Sequence, residues 1–340
     1  MKKLLIFPLL LLALTGFANV AQPGFWNAGG TGTFSLLFPE DSAAYKKIQM
    51  VKEQVSIQLY RGYAVIKGSY FMFNDTEEPV SLRVGYPLNA SFDGNTSNRE
   101  EVRFDSLYAL KAYINGQPAP IIAQPLNGTD DSGYNDNWYI WNTLFPPGDT
   151  TLVEVYFIVN TNETSISKGY DRDHNNGFIY LLETGATWKQ PIVQGEIRLR
   201  LMDNLTAGDL KGVSPDSAVM LHSDARTMLL HFQNLSPTGD DNLVIAYTPN
   251  IQDFDFASVV TQETALFRAI DQFATENLQP GDFLPNSFGS PFDVSGNSGR
   301  WIGVLFFVMI YGIPFLAIFV VIVLGYQIFR LVRNRKKPVQ

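Results

Sequence analysis

Over residues 301–329 the chain reads WIGVLFFVMIYGIPFLAIFVVIVLGYQIF, a run without a charge in which Gln327 is the only strongly polar side chain. As a helix rising about 1.5 Å per residue it exceeds the ~30 Å hydrocarbon core of a bilayer, and the surplus predicts tilt or a kink at Pro314. Trp301 and Tyr326 suit the two interfaces. Arg330, Arg333, Arg335, Lys336 and Lys337 follow at once, a cluster that the positive-inside rule holds in the cytoplasm. The expectation is one transmembrane helix over 301–329, a basic cytoplasmic tail over 330–340, and an extracytoplasmic body at an inner (plasma) membrane. A buried core helix is the competing reading, but such length followed by such charge does not suit a soluble fold.

A shorter apolar run lies near residue 1. Lys2 and Lys3 precede an apolar stretch over 4–17, and small residues stand around Ala18 and Ala21. Positive start, short apolar core and small-residue site are the layout of a secretory signal peptide, expected over 1–21. Cleavage after Ala18 places Gly16 at the small minus-three position; cleavage after Ala21 places Asn19 there. A retained anchor is the competing reading, against which the run is shorter than the ~20 residues of a span.

Of 25 Lys and Arg, two fall in this signal and five in the tail, leaving 18 against 33 Asp and Glu in the body. An acidic body excludes nucleic acid as a partner, since phosphate binding needs a basic surface. The chain has no cysteine. That excludes thiol catalysis and points to a bacterial envelope protein large enough to be stable without disulfides.

Between the two hydrophobic ends the periodicity is mostly two. Val55, Ile57 and Leu59 alternate with polar residues; a second apolar run covers 63–73; and Val80, Leu82, Val84, Tyr86 and Leu88 share one face of a third strand. Residues 89–104 read as a loop. Asn115-Gly116 is the strongest two-residue hairpin signal, with a strand over 107–114 before it and a return strand that Pro118 and Pro120 demote to an edge. Strands over 138–145 and 151–159 close a first set spanning 45–160. After a polar loop over 160–177, a second set spanning 161–250 has strands over 178–182, 197–201, 227–232 and 243–247. The fold class is therefore all-β, an antiparallel β-sandwich, either one large or two small. Residues 258–278 switch to helical spacing, with Val259, Leu266, Phe267, Ile270 and Phe273 on one face, Ser258 as N-cap and Pro280-Gly281 as stop. This amphipathic helix docks on the sandwich or lies on the membrane surface. Residues 281–300 read as a Gly/Ser/Pro-rich juxtamembrane linker.

Candidate chemistry is sparse. Three histidines, His174, His222 and His231, stand apart, and no Gly-x-Ser-x-Gly elbow, His-Glu-x-x-His pair or phosphate loop occurs. Ser165-Ile166-Ser167-Lys168 matches Ser-x-x-Lys but falls in the polar loop without a helix start. No catalytic or cofactor-binding residue is assigned, and the chain is read as a non-enzyme. Oxygen side chains alternate at Asp171, Asp173 and Asn175, with Glu183 as a closing acid; such a set can converge on a hard cation such as calcium. The glycine and the closing acid each come one position late for an EF-hand, so the alternatives are a looser calcium loop and a solvated turn. Trp138, Trp141 and Trp188 are read as core residues before sugar platforms.

Two segments carry a resemblance. GFIYLLETGATWKQPI at 177–192 and LLHFQNLSPTGDDNLVIAY at 229–247 resemble a bacterial extracytoplasmic β-sandwich domain family of unknown function, whose members carry comparable Thr-Gly-x-x-Trp-x-x-Pro-Ile and Phe-x-Asn-x-x-Pro-Thr-x-x-Asp segments. The stretch over 54–88 is similar to the start of that family and, more distantly, to the vault/inter-α-trypsin-type β domain. The resemblance covers roughly residues 45–250. It implies packing roles: Thr184-Gly185 at a strand end, Trp188 plugging one end of the sandwich, Pro237 with Asp240 and Asp241 shaping a turn. The function expected is a structural or interaction module, an accessory subunit of an envelope complex with protein partners, and the alternative is a calcium- or glycan-binding surface sensor. An envelope hydrolase is the most distant reading.

Overall fold

The alternation over 55–59 belongs to one of many strands in the computed structural model, which describes residues 24–27, 33–36, 41–87, 90–93, 100–104, 107–125, 137–162, 164–168, 171–293 and 304–335. The expected signal over 1–21 lies outside them. The strands are β1 (Gly24–Asn27), β2 (Thr33–Leu36), β3 (Ile48–Leu59), β4 (Tyr63–Asn74), β5 (Val80–Pro87), β6 (Ala90–Asp93), β7 (Glu100–Phe104), β8 (Leu107–Ile114), β9 (Gln117–Pro118), β10 (Ile122–Pro125), β11 (Asn137–Phe145), β12 (Thr150–Asn160), β13 (Ser165–Lys168), β14 (Asp171–Asp173), β15 (Asn175–Tyr180), β16 (Ile192–Leu201), β17 (Leu210–Ser214), β18 (Val219–His222), β19 (Thr227–Leu235), β20 (Leu243–Pro249) and β21 (Phe283–Pro285). Helices are α1 (Ser42–Tyr45), α2 (Phe256–Val260), α3 (Glu263–Thr275) and α4 (Ile313–Arg335). The chain divides into a body, which ends at residue 294, and a C-terminal unit that holds the apolar helix.

Nine strands form one sheet in the order β21-β18-β19-β16-β3-β4-β12-β8-β9. The expected antiparallel sheet is instead mixed, because β16 runs parallel to β3 with Ile197 opposite Val55. That pairing joins the two expected strand sets, and no local periodicity encodes it: the partners lie far apart in sequence. Two three-stranded sheets, β10-β11-β5 and β15-β20-β17, and a four-stranded sheet, β14-β13-β7-β6, complete the larger pairings. The main apolar core draws Ile57, Ile66, Val155 and Leu199 from the nine-stranded sheet, and Val84, Trp141, Ile179 and Ile245 from the two three-stranded ones. Trp188, fully buried, packs against Tyr45 and Phe145 at ring distances of 4.8 and 6.2 Å.

Turn chemistry follows the sequence closely at the β8–β9 hairpin. Asn115 and Gly116 adopt φ of 49° and 77°, and Ile114 pairs with Gln117; both positive values are what a two-residue turn between twisted strands requires. Elsewhere the expectations need correction. The loops expected over 89–104 and 160–177 contain β6 and β7, and β13 and β14. Ser165–Lys168 is thus a strand paired with β7, not a loop. The single helix expected over 258–278 is two, broken at Thr261-Gln262 after the β-branched pair Val259-Val260. Its cap is Asp255, whose carboxylate accepts from the Ser258 amide at 3.2 Å, and α3 stops at Thr275 before the extended Glu276.

A local irregularity sets the polarity of β3. The register slips between Met50 and Lys52, so Met50, Glu53 and Val55 all turn inward. Glu53 is fully buried, and Tyr180 donates to its Oε1 at 2.7 Å while the Tyr70 and Tyr180 hydroxyls lie 3.0 Å apart. Burial, then the charge of Glu53, pushes Tyr70 and Tyr180 well above the usual tyrosine range.

The expected linker over 281–300 is a strap docked on the body as far as residue 293. Phe283, Leu284 and Pro285 pair with His222, Leu221 and Met220 of β18, and the Val213 amide donates to the Gly289 carbonyl at 2.9 Å. Phe283 and Phe292 are buried. In the C-terminal unit, Val304–Arg330 is long and apolar enough to cross a membrane, with a mean hydropathy of 2.8 over an 18-residue stretch of it. Val308–Gly312 within it is π-helical. Pro314 lacks an N–H and crowds the carbonyl four residues back, and a widened turn just before it relieves both.

Candidate functional site

The five central strands turn one set of side chains into the core and the other onto an outer face, and register arranges that face in rows. Lys111, Tyr156, Lys67, Ser56 and Arg198 stand side by side on β8, β12, β4, β3 and β16. Two residues along, the next row is Tyr113, Glu154, Ser69, Gln54 and Glu196, continuing to His231 on β19.

Helix α3 lies over the first row. Its 13 residues span about 20 Å, which matches four inter-strand steps of about 4.8 Å. Apolar positions at helical spacing, Phe267 and Ile270, pack on Val65 and Ile158. Polar contacts run the length of the helix. Lys111 pairs with Glu263 at 3.0 Å and sits 5.2 Å above the Phe267 ring. Asp271 accepts from Lys67 and from the Tyr156 hydroxyl, both at 2.8 Å, and Lys67 also lies 3.3 Å from Glu154. At the far end Arg198 donates to the carbonyls of Ala274 and Glu276 at 3.2 and 3.0 Å, where a helix C-terminus attracts positive charge. Arg200 grips the Glu276 carboxylate with two nitrogens at 2.7 and 2.6 Å and stacks 4.3 Å over Phe273.

These contacts decide the protonation of the buried groups. Burial alone would lower Lys67, but its hydrogen bonds with Asp271 and Tyr156, and their charge, outweigh that and hold the ammonium above the usual lysine range. Burial likewise pushes Tyr156 up to about 12.

The second row is left open. Between it and α3 lies a cleft of about 430 Å³ lined by Lys111, Tyr113, Glu154, Tyr156, Phe267, Arg268 and Asp271. Gln54, Ser69 and Tyr113 are half-buried, and their side chains form no hydrogen bond with any described residue. The carboxylates beside them are engaged: Glu154 by Lys67, Glu196 by Arg198 at 3.0 Å. The row, with the cleft at its Tyr113 end, therefore offers neutral donors and acceptors beside paired carboxylates. A second void, about 10 Å³ and lined by Leu199, Val213, Met228 and Ile245, is an apolar packing gap.

Of the cation ligands suggested by the sequence, Asn175 and Glu183 lie at opposite ends of β15. Asp171 and Asp173 lie in β14, with side chains outside the described residues, and Asn175 is buried at the start of β15. Glu183 sits beyond the opposite end of β15, where its Oε1 accepts from Asn242 Nδ2 at 3.0 Å and its amide donates to Asn242 Oδ1 at 3.0 Å. The structure thus does not bring Glu183 to Asn175. Among the described residues no group of three or more His, Asp or Glu is placed to hold a metal ion. Thr184-Gly185 lies in a 3-10 turn after β15, and a methyl group on Gly185 would come 2.6 Å from Ile192 and 3.5 Å from Pro237, so the two resembling segments pack on each other. Thr238 and Asp241 cap the next turn reciprocally.

No family model matches the chain, and no curated protein matches it. Among solved structures, a candidate nutrient-binding protein from Legionella pneumophila superposes with a TM-score of 0.41 at 13% identity, over 86% of this chain and 97% of that one. An M1 zinc metallopeptidase from Deinococcus radiodurans, bound to a Tyr-Ser-Ala substrate, gives a TM-score of 0.33 at 10% identity, over 59% of this chain and 43% of its own. A candidate protease from Parabacteroides distasonis gives 0.30 at 12%, over 59% and 40%. The chain spans less than half the length of these last two. At such scores similarity assigns neither family nor activity, and function rests on the chain's own geometry.

Proposed function

We propose that this chain is a membrane-anchored interaction module: a β-sandwich body outside the cytoplasm, one span, a basic cytoplasmic tail, and a binding surface on the outer face of the nine-stranded sheet beside α3. The observation that carries this reading is the conjunction of a 27-residue apolar helix whose one charge is the terminal Arg330 with a body that leaves a row of hydrogen-bonding side chains without partners among the described residues. Support for the sandwich is the shared core between the nine-stranded sheet and the two three-stranded ones. Support for the orientation is the basic cluster after residue 329. An accessory subunit of an envelope complex fits such a body, with the span as its anchor.

Two measurements test it. A reporter fused after Gln340 should be active only in the cytoplasm; activity on the other side overturns the topology. Purification in detergent should retain a stoichiometric protein partner, and a chain that purifies alone under every mild condition overturns the subunit role.

A further inference from the structure

We infer that the open row beside α3 binds an uncharged oligosaccharide, laid across β8, β12, β4, β3 and β16 with the helix as its wall. The inference rests on reading this face as the module's binding surface, and it names the ligand class.

Position within the sheet comes first. The row lies on the face of central strands whose backbone groups bond to neighbours on both sides, so an extended peptide cannot add here as a further strand. Recognition has to run through side chains.

Charge then narrows the class. Glu154 faces Lys67, Glu196 faces Arg198 and Glu263 faces Lys111. A basic peptide or a metal ion would have to displace one of these pairs, and a polyanion would lie against their three carboxylates. Within the row from Tyr113 to Glu196, what is left unengaged among the described residues is neutral: the Gln54 amide and the hydroxyls of Ser69 and Tyr113; Arg268, exposed on the helix wall, lines the cleft outside the row. Each donates as well as accepts, as a sugar hydroxyl does, and a carboxylate bound on one side by a cation retains lone pairs for further donors. Across the five strands the order is hydroxyl, carboxylate, hydroxyl, amide, carboxylate.

Spacing agrees with this. Neighbouring strands stand about 4.8 Å apart, close to the length of one pyranose unit in a linear chain, so a sugar polymer crossing the strands meets one polar side chain per ring. The cleft of about 430 Å³ at the Tyr113 end is of a size that small-molecule sites commonly have. Tyr113, edge-on to Tyr156 with ring centroids 5.8 Å apart, stands at the head of the row with its ring partly exposed and can take the apolar face of a sugar.

The test uses the full chain in a detergent without a sugar headgroup. Calorimetric titrations with cellohexaose, maltohexaose and chitohexaose, and with the two- and four-unit members of each series, are expected to show binding by at least one series. Affinity should grow up to about five rings, one per strand, and then level off. Gln54→Ala and Tyr113→Ala should each weaken binding about tenfold, the equivalent of about 1.4 kcal/mol, without changing the melting temperature. Asn142→Ala, exposed on β11, should leave binding unchanged. Hexalysine and hexaglutamate should not bind the row. Failure of all three sugar series, binding that ignores both row substitutions, or a charged hexapeptide bound in a way that they abolish would each overturn the assignment. A partner co-purifying in the same preparation would show that the anchored-module reading stands without it.

Discussion

A methyl group on Gly212 would lie 2.3 Å from the backbone nitrogen of Pro291 and the carbonyl carbon of Ser290. Backbone cannot rotate away as a side chain does, so Gly212→Ala should unseat the strap, with its edge strand β21, while leaving the other eight strands of the large sheet folded. The expected cost is about 1–3 kcal/mol, with hydrogen-exchange protection lost over 283–293 and kept in β3, β4 and β12; protection unchanged over the strap would refute the contact. Single residues were unevenly legible in the sequence. Asn115-Gly116 announced its turn because φ is a local property. Glu53 did not announce its burial: alternation places it inward with Val55 and Ile57, but the tyrosine that makes an inward carboxylate tolerable comes from β15, distant in sequence. The same distance hid the setting of Glu183, whose Oε1 and amide bond to Asn242 inside the body.

At the level of elements, α3 is held as much by charge as by apolar contact. Lys67 stands between Asp271 and Glu154; Lys67→Met leaves these carboxylates near each other without a cation. The helix should loosen by about 1–3 kcal/mol, read as faster hydrogen exchange over 263–275. Linkage gives the pH sense. With its folded pKa raised, Lys67 contributes fully below the ordinary lysine value of about 10.4, and the contribution fades as pH climbs through the raised one. The period of α3 was plain from Phe267, Ile270 and Phe273. Its docking face was not, because Glu263, Asp271 and Glu276 look like a solvated stripe until strand pairing brings Lys111, Lys67 and, one row further on, Arg200 beneath them from three separate strands. The binding row was hidden for the same reason: each strand showed its outward polar positions, and only pairing made them a surface.

For the molecule as a whole, burial raises Tyr45, Tyr70, Tyr86, Tyr180 and Tyr247 together. Unfolded tyrosines release their protons near pH ~10 while these hold theirs, so the folded state binds more protons above that point and stability falls, by up to about 1.4 kcal/mol per pH unit for each group. Denaturant midpoints should be flat from neutral pH to about 10 and drop beyond it, with the tyrosinate absorbance of these five appearing only as the chain unfolds; ionisation of all 15 tyrosines in a folded body would contradict the burial. The β-rich character and the apolar helix were readable from period and hydropathy, whereas the parallel β16–β3 join was not, since parallel partners leave no turn between them to read. The strap has a mechanical consequence. It is the last described stretch of the body before the apolar helix, so tension from the helix side would load it from residue 293 backward: the buried Phe292 first, then the hydrogen bond between Gly289 and Val213, then the three antiparallel pairs from Pro285 to Phe283. Its release would pay out about 45 Å of chain, a fuse that lengthens the tether before the central sheet bears any force.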